Sequence, residues 1–158
     1  MAGLIDQLLE LLNEQAARYE DMLGLSLEKK DVIIANDIEA LQKITGLENI
    51  LVSQHQKLDK KRTQVMEDIA IVLNQDKNTL TVSEIIELLD GQNEQEPLRE
   101  VRDRIKKTLE ELSEANKQNS SLIGNAMDYI DYSLNVIRSQ LHPELYMEEL
   151  LQKKRGGI

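Results

Sequence analysis

The chain of 158 residues has no cysteine, no tryptophan and no phenylalanine, and only four tyrosines, seven glycines and two prolines. Without cysteine it can form no disulfide, no thiolate metal site and no cysteine nucleophile, and the cytosol is the simplest compartment for it. Glycine and proline are too scarce for the turns of a β-sandwich or barrel, which recur about every 8–12 residues. These absences predict an all-α protein with a core of Leu, Ile, Val, Met and Ala.

Positive charge and long apolar runs are also scarce. The chain has 19 Lys and Arg against 29 Asp and Glu, which gives a formal net charge of −10. An acidic surface repels phosphate backbones and anionic lipid, so we expect no nucleic-acid partner. Asp6 and Glu10 interrupt the first apolar run, which argues against a signal peptide, and no stretch is apolar enough for stable membrane insertion.

The spacing of apolar residues at alternating steps of three and four predicts three long amphipathic helices and one short connector helix. Their predicted ranges are about 3–35, 37–73, 81–90 and 97–141. We therefore expect an elongated antiparallel bundle that forms one domain over residues 1–141. Residues 142–158 are predicted to be a tail that is mobile or forms a short helix.

Residues with known preferences for helix ends mark these boundaries. Asn36 tolerates the left-handed conformation at a helix end, and Asp37 is a good N-cap for the next helix. Thr81 begins a capping box, Pro97 suits the first turn of a helix, and His142 precedes a proline that ends the last helix. The joint at Asn36 is short enough to make the first two helices antiparallel neighbours.

The chain contains none of the motifs that carry catalysis. It has no glycine-rich phosphate loop, no nucleophile elbow and no metal-ligand spacing, and His55 and His142 are far apart. Neither histidine has a Glu three residues before it, as the di-iron bundles require. We expect a protein that is not an enzyme and needs no cofactor or metal.

Polar residues repeat at one heptad position of the second helix, where an apolar residue normally faces a neighbouring helix. We interpret them as a structural polar layer that fixes the register of the helices. The layer is predicted to comprise Glu48, His55, Arg62, Asn116 and Asn119, with Lys30 as a further partner.

The C-terminal part of the chain has a different composition. Tyr129, Tyr132 and Tyr146 fall in the last 30 residues, whereas Tyr19 is the only other tyrosine. One interpretation is that Tyr129 and Tyr132 flank the bundle seam and that the tail is a frayed end. The other is that Leu, Met and Tyr side chains form a docking surface that becomes ordered on binding a partner.

Several short patterns together resemble those of the FlgN family of flagellar export chaperones. They are Leu-Leu-x-x-Leu-Leu-x-x-Gln near the start, Tyr19-Glu-Asp-Met-Leu, Glu28-Lys-Lys, Asn36-Asp-Ile-Glu-Ala-Leu41, Glu48-Asn-Ile-Leu51, Leu58-Asp-Lys-Lys-Arg62, Asn116-x-x-Asn119-x-x-Leu122-Ile123 and Tyr129-Ile130. Each pattern is common among helical proteins, but their order and spacing from about Leu4 to Tyr146 are typical of this family.

The resemblance implies a cytoplasmic chaperone that binds the C-terminal helical ends of hook-filament junction proteins. Such a chaperone prevents premature assembly and delivers its client to the cytosolic domain of the export gate. The client surface is expected on the C-terminal region, and we assign to it Ile123, Met127, Ile130, Leu134, Ile137, Leu141, Leu145, Met147, Leu150 and Leu151.

A tyrosine near the C-terminus contributes to export-gate docking in this family. By its position after the last helix, Tyr146 is the first candidate for that role, with Tyr132 and Tyr129 as fallbacks. The chaperone is expected to be a monomer or a weak homodimer.

A structural coiled-coil adaptor is the competing interpretation. Such a protein would use the heptads of its second helix to oligomerise and would have no secretion client. Light scattering over a concentration series separates the two, because the adaptor would be a stable oligomer.

Overall fold

The structure, a computed structural model, describes residues 2–141 and 150–152. Within these ranges the protein consists of helices and turns and contains no strand, which confirms the predicted all-α class. The helices are α1 (Ala2–Ile34), α2 (Ile38–Leu73), α3 (Val82–Leu88) and α4 (Gln95–Leu141). Their bounds differ from the predicted ones by two residues or fewer. None of these helices is both long enough and apolar enough to cross a membrane.

The joint between α1 and α2 has the predicted geometry. Asn36 adopts the left-handed conformation with φ 56°, and the Asp37 carboxylate accepts a hydrogen bond from the backbone N–H of Ala40 at 3.1 Å. Both predicted helix-end roles are therefore confirmed.

Two contacts show the relative direction of α1 and α2, since Lys29 pairs with Glu48 and Tyr19 pairs with His55. Partner numbers fall along α1 as they rise along α2, so the two helices run in opposite directions.

The other helix ends also follow local chemistry. Asn74 ends α2 in the left-handed conformation with φ 53°, and the Thr81 hydroxyl caps α3 by accepting from the N–H of Glu84 at 3.2 Å. Helix α4 begins at Gln95, two residues before the predicted start at Pro97. Proline fits there because N–H groups in the first turn of a helix have no carbonyl partner within the helix.

The chain divides into two compact units, Met1–Asn119 and Ser120–Ile158, and the boundary lies within α4. The first unit contains an apolar core to which α1, α2, α3 and the first part of α4 all contribute. Its members are Ile5, Leu8, Leu12, Ala16, Val65, Ile69, Ile85, Ile86, Leu89, Leu98 and Val101. Many are fully buried, so this cluster is the main hydrophobic stabilisation of the unit.

Polar contacts join α4 to α1 within the first unit. The Arg104 guanidinium donates to the Glu20 carboxylate, and the Asn119 amide donates to the backbone carbonyl of Ser26. Partner numbers rise together along both helices, so α1 and α4 run in the same direction here.

Candidate functional site

The last part of α4 exposes a stripe of large apolar side chains. Met127, Ile130, Leu134 and Ile137 have 61%, 54%, 44% and 50% of their surface exposed, and Ile123 is partly buried. Steps of four and three residues place these five side chains on one face of the helix. An exposed apolar stripe of this kind is typical of a protein interaction site, so we call these five residues the α4 stripe.

Two tyrosines accompany the α4 stripe. Tyr129 and Tyr132 are 71% and 66% exposed. Neither follows the spacing of the stripe, so their rings point away from its centre line. An exposed tyrosine offers an apolar ring and a polar hydroxyl together, a combination that is frequent at protein interfaces.

The remaining residues of the predicted surface lie at or beyond the end of α4. Leu150 and Leu151 are 38% and 53% exposed and belong to the helical residues 150–152. Leu145, Tyr146 and Met147 lie outside the described residues. Leu141 is the last residue of α4, and the structure describes only its backbone.

The residues of the predicted polar layer on α2 take three different partners. The Lys29 ammonium lies 3.1 Å from the Glu48 carboxylate, so the ion pair uses Lys29 where the sequence suggested Lys30. The hydroxyl of Tyr19 lies 2.9 Å from Nε2 of His55. Arg62 instead pairs with Asp59 on its own helix at 2.6 Å.

The two asparagines of the predicted layer both contact one serine of α1. The Ser26 hydroxyl donates to the Asn116 side-chain carbonyl at 2.8 Å. The Asn119 amide donates to the Ser26 backbone carbonyl at 2.8 Å and to its hydroxyl at 3.2 Å. Ser26 and Asn119 are 2% and 4% exposed, so their contacts with each other are shielded from water. Hydrogen bonds are electrostatically stronger in such a shielded interior than in water.

Sequence reasoning missed Tyr19 and Ser26 as members of this polar set. They lie seven residues apart on α1 and therefore project from the same face, about 10 Å apart along the axis. That spacing is the signal that could have identified them, because the polar residues Glu48, His55 and Arg62 of α2 also repeat every seven positions.

The environment of the Tyr19 and His55 pair shifts both pKa values. The rings are 4.5 Å apart between centroids and tilted by 48°. Burial lowers the pKa of His55 below its usual value, while nearby Asp59 raises it and Arg62 lowers it. Burial also raises the pKa of Tyr19, against a lowering by Arg62. Both shifts favour the neutral form of each group.

Some buried polar atoms have no partner among the described residues. They are both side-chain amide atoms of Gln15, Nδ1 of His55 and the side-chain carbonyl of Asn119. Gln15 is only 1% exposed, so its amide is shielded from bulk water. Buried polar groups without partners lower the stability of the interior that surrounds them.

This arrangement supplies surfaces and structural hydrogen bonds. No group of three or more His, Asp or Glu side chains in residues 2–141 and 150–152 is placed to hold a metal ion. The α4 stripe offers an apolar surface for burial against a partner.

In a comparison with known protein families, the family model described as FlgN protein matches residues 1–152 of the chain. Comparisons with curated proteins and with solved structures found no significant match. The family match covers almost the whole chain and includes all four helices together with residues 150–152. The chain belongs to the FlgN family, the flagellar export chaperones.

Proposed function

We propose that this protein is a cytoplasmic chaperone that binds the C-terminal helical ends of hook-filament junction proteins. The observation that carries the proposal is the α4 stripe, which leaves four large apolar side chains about half exposed or more. A monomeric soluble protein rarely exposes such a contiguous face unless a partner covers it. Membership of the FlgN family gives the class of partner, a flagellar export substrate.

The proposed mechanism is protection by burial. A junction protein that polymerises through an amphipathic helix is kept unassembled when the apolar face of that helix packs against the α4 stripe. Each square ångström of apolar surface removed from water contributes about 25 cal/mol, before the cost of ordering the two partners. Binding alone achieves this, so the function involves no catalysis and no cofactor.

The three long helices are proposed to provide the support for this surface as an antiparallel bundle. The apolar core and the Ser26 cluster hold the first part of α4 in place within the first unit. This division leaves the later part of α4 to contact clients. We propose that the protein acts as a monomer or weak homodimer.

Delivery to the export gate is proposed to use a tyrosine. Tyr146 is the first candidate, and Tyr132 and Tyr129 are the alternatives. Tyr129 and Tyr132 are mostly exposed in the free protein, so either ring is accessible to a large partner. Separate Tyr→Ala variants at the three positions, tested for binding to the purified cytosolic domain of the gate, identify the residue. If all three variants still bind the gate domain, the assignment of this role to a tyrosine is wrong.

The central experiment is calorimetric titration of the protein with the C-terminal helical segment of a junction protein. The variant Met127→Ser with Ile130→Ser removes two side chains from the middle of the stripe and is expected to weaken binding at least tenfold, equivalent to about 1.4 kcal/mol. Both positions are exposed, so the helical circular dichroism is expected to stay unchanged. Deletion of residues 142–158 is expected to abolish binding and to leave the helical circular dichroism nearly unchanged.

The matched control is Ile71→Ser on α2, because Ile71 is 77% exposed and lies in the first unit. This variant is expected to bind the junction segment as the unchanged protein does. Equal losses in the control and in the stripe variant would contradict the assignment of the surface. Full affinity after deletion of 142–158 would show that the tail is not part of it.

A further inference from the structure

A second surface of the protein, lined by residues other than those of the α4 stripe, forms an open groove. It lies between α1 and α2 and has a volume of about 400 Å³. We define the α1–α2 groove by Asp21, Gly24, Leu25, Glu28, Leu47 and Ile50. The residues from α1 are spaced by about one turn, so they form a channel along the helix that can receive the side-chain ridge of another helix.

The floor of the groove is apolar and open to solvent. Leu47 and Ile50 are 50% and 55% exposed, although they lie next to each other on one face of α2. Leu25 adds a third aliphatic side chain from α1. Aliphatic residues of this kind are the usual anchoring floor for an amphipathic helix.

The rim of the groove is acidic. Asp21 and Glu28 lie on its α1 side, Glu20 lines the same groove, and none of its lining residues is basic. Asp21 has an ion pair with Arg18, and Glu20 has one with Arg104, but these side chains are substantially exposed and such pairs are weak. A partner with Lys or Arg beside its apolar face therefore matches this groove in charge, whereas an acidic partner is repelled.

Gly24 leaves the middle of the α1 side of the groove without a side chain. Glycine in the middle of a helix costs about 1 kcal/mol relative to alanine. A Cβ atom at Gly24 would meet nothing within 4 Å, so nothing in the protein itself excludes a side chain there. The missing side chain instead allows an external helix to approach the α1 backbone closely at the middle of the groove.

We propose that the α1–α2 groove binds an amphipathic helix of a partner protein, with apolar residues facing Leu47 and Ile50 and basic residues facing Asp21 and Glu28. This site shares no residue with the α4 stripe, and its proposed role goes beyond the proposed client binding. The partner helix lies across Gly24, where no side chain projects from α1 into the groove.

The test uses a fluorescent synthetic peptide that repeats LKKLLKL, which forms a helix with a leucine face and lysine flanks. Fluorescence anisotropy measures its binding to the full chain. The variant Gly24→Leu fills the centre of the groove and is expected to weaken binding about tenfold or more, or about 1.4 kcal/mol. A second peptide has Glu in place of every Lys. We expect the unchanged protein to bind it at least as weakly as the Gly24→Leu variant binds the lysine peptide.

The matched control is Gly3→Leu, which places the same side chain on the same helix, far from the groove and also with no atom within 4 Å. It is expected to leave peptide binding unchanged. Equal effects of Gly24→Leu and Gly3→Leu would overturn the proposal. So would loss of all peptide binding in the variant Met127→Ser with Ile130→Ser, because the peptide would then occupy the α4 stripe.

Light scattering tests whether a second copy of the chain is the occupant instead. A dimer that Gly24→Leu dissociates and Gly3→Leu preserves would overturn the assignment to a different protein. The proposal is supported if the molar mass is unchanged in both variants and only Gly24→Leu loses binding of the lysine peptide. Client binding at the α4 stripe is measured with the junction segment, so either result leaves that proposal separately testable.

Discussion

The two parts of α4 have similar apolar spacing, but the apolar side chains are buried in the first part and exposed in the second. Before Asn119, Leu98 and Val101 are buried at 0% and 3% exposure and belong to the shared core. After Ser120, Met127 and Ile130 are exposed at 61% and 54%. The comparison teaches that amphipathic spacing determines which face of a helix is apolar, whereas the neighbouring elements determine whether that face becomes a core or a binding surface.

The largest expected effect is the difference in unfolding free energy between alanine substitutions in the two parts of α4. Leu98→Ala removes a fully buried side chain and is expected to lower the free energy of unfolding by about 2–5 kcal/mol. Ile130→Ala, in the exposed part of the same helix, is expected to change it by no more than about 0.5 kcal/mol. Urea denaturation followed by circular dichroism measures both. Similar losses in the two variants would show that the later part of α4 is also packed in the free protein.

The next effect concerns the residue at the boundary. Asn119→Ala removes two hydrogen bonds to Ser26 and leaves the buried Ser26 carbonyl without its side-chain donor. The expected loss is about 1–3 kcal/mol in the free energy of unfolding. Asn116→Ala is the control, because the Ser26 hydroxyl keeps its contact with Asn119 and Asn116 is itself more exposed. A larger loss for Asn116→Ala would mean that Asn119 does not anchor α4.

A smaller effect on stability, of opposite sign, is expected at Gln15, a buried polar residue without a hydrogen-bond partner among the described residues. Gln15→Met replaces a fully buried amide, unpartnered among the described residues, by an apolar side chain of similar length. We expect stability to stay constant or to rise by about 1 kcal/mol, because the desolvation cost of the amide is removed. A thermal melt that shifts downwards by several degrees would show that Gln15 has a structural hydrogen-bond partner, such as a buried water.

The smallest effect is the pH dependence contributed by His55. Burial lowers its pKa in the folded protein, so the unfolded chain binds this proton more readily. The stability is therefore complete above the ordinary pKa of histidine and declines as the pH falls through that value towards the lower pKa of the folded state. Denaturation measured at pH 7 and at pH 5 is expected to show a smaller difference for His55→Gln than for the unchanged protein. An equal difference would mean that other groups cause the whole pH dependence.

Local features of the fold were predictable from the sequence because their causes lie within a few residues. Asn36, Asp37 and Thr81 have the backbone or capping roles that their side chains favour, and the structure confirms these predictions. The helix bounds follow from the same signals together with the apolar spacing.

Contacts between helices were predictable only in part. The sequence marked His55 and Asn119 as unusual polar residues but did not give Tyr19 and Ser26 as their partners. Choosing those partners needs the axial register between helices, which depends on packing across long sequence separations. Similarly, the spacing of α4 suits a seam and an exposed surface equally well, so only the fold shows that Tyr129 and Tyr132 are accessible to solvent.

The three-residue joint at Asn36 and Asp37 has a consequence for how the protein folds. It makes α1 and α2 a local hairpin, whereas the contact of Ser26 with Asn119 spans 93 positions of sequence. Closing the longer loop costs more chain entropy, so we expect the hairpin to form early and α4 to dock late. Asp37→Ala should therefore slow refolding, and Asn119→Ala should mainly speed unfolding. During synthesis the hairpin also leaves the ribosome first, which lets the α1 and α2 scaffold form before the residues of the α4 stripe have been made.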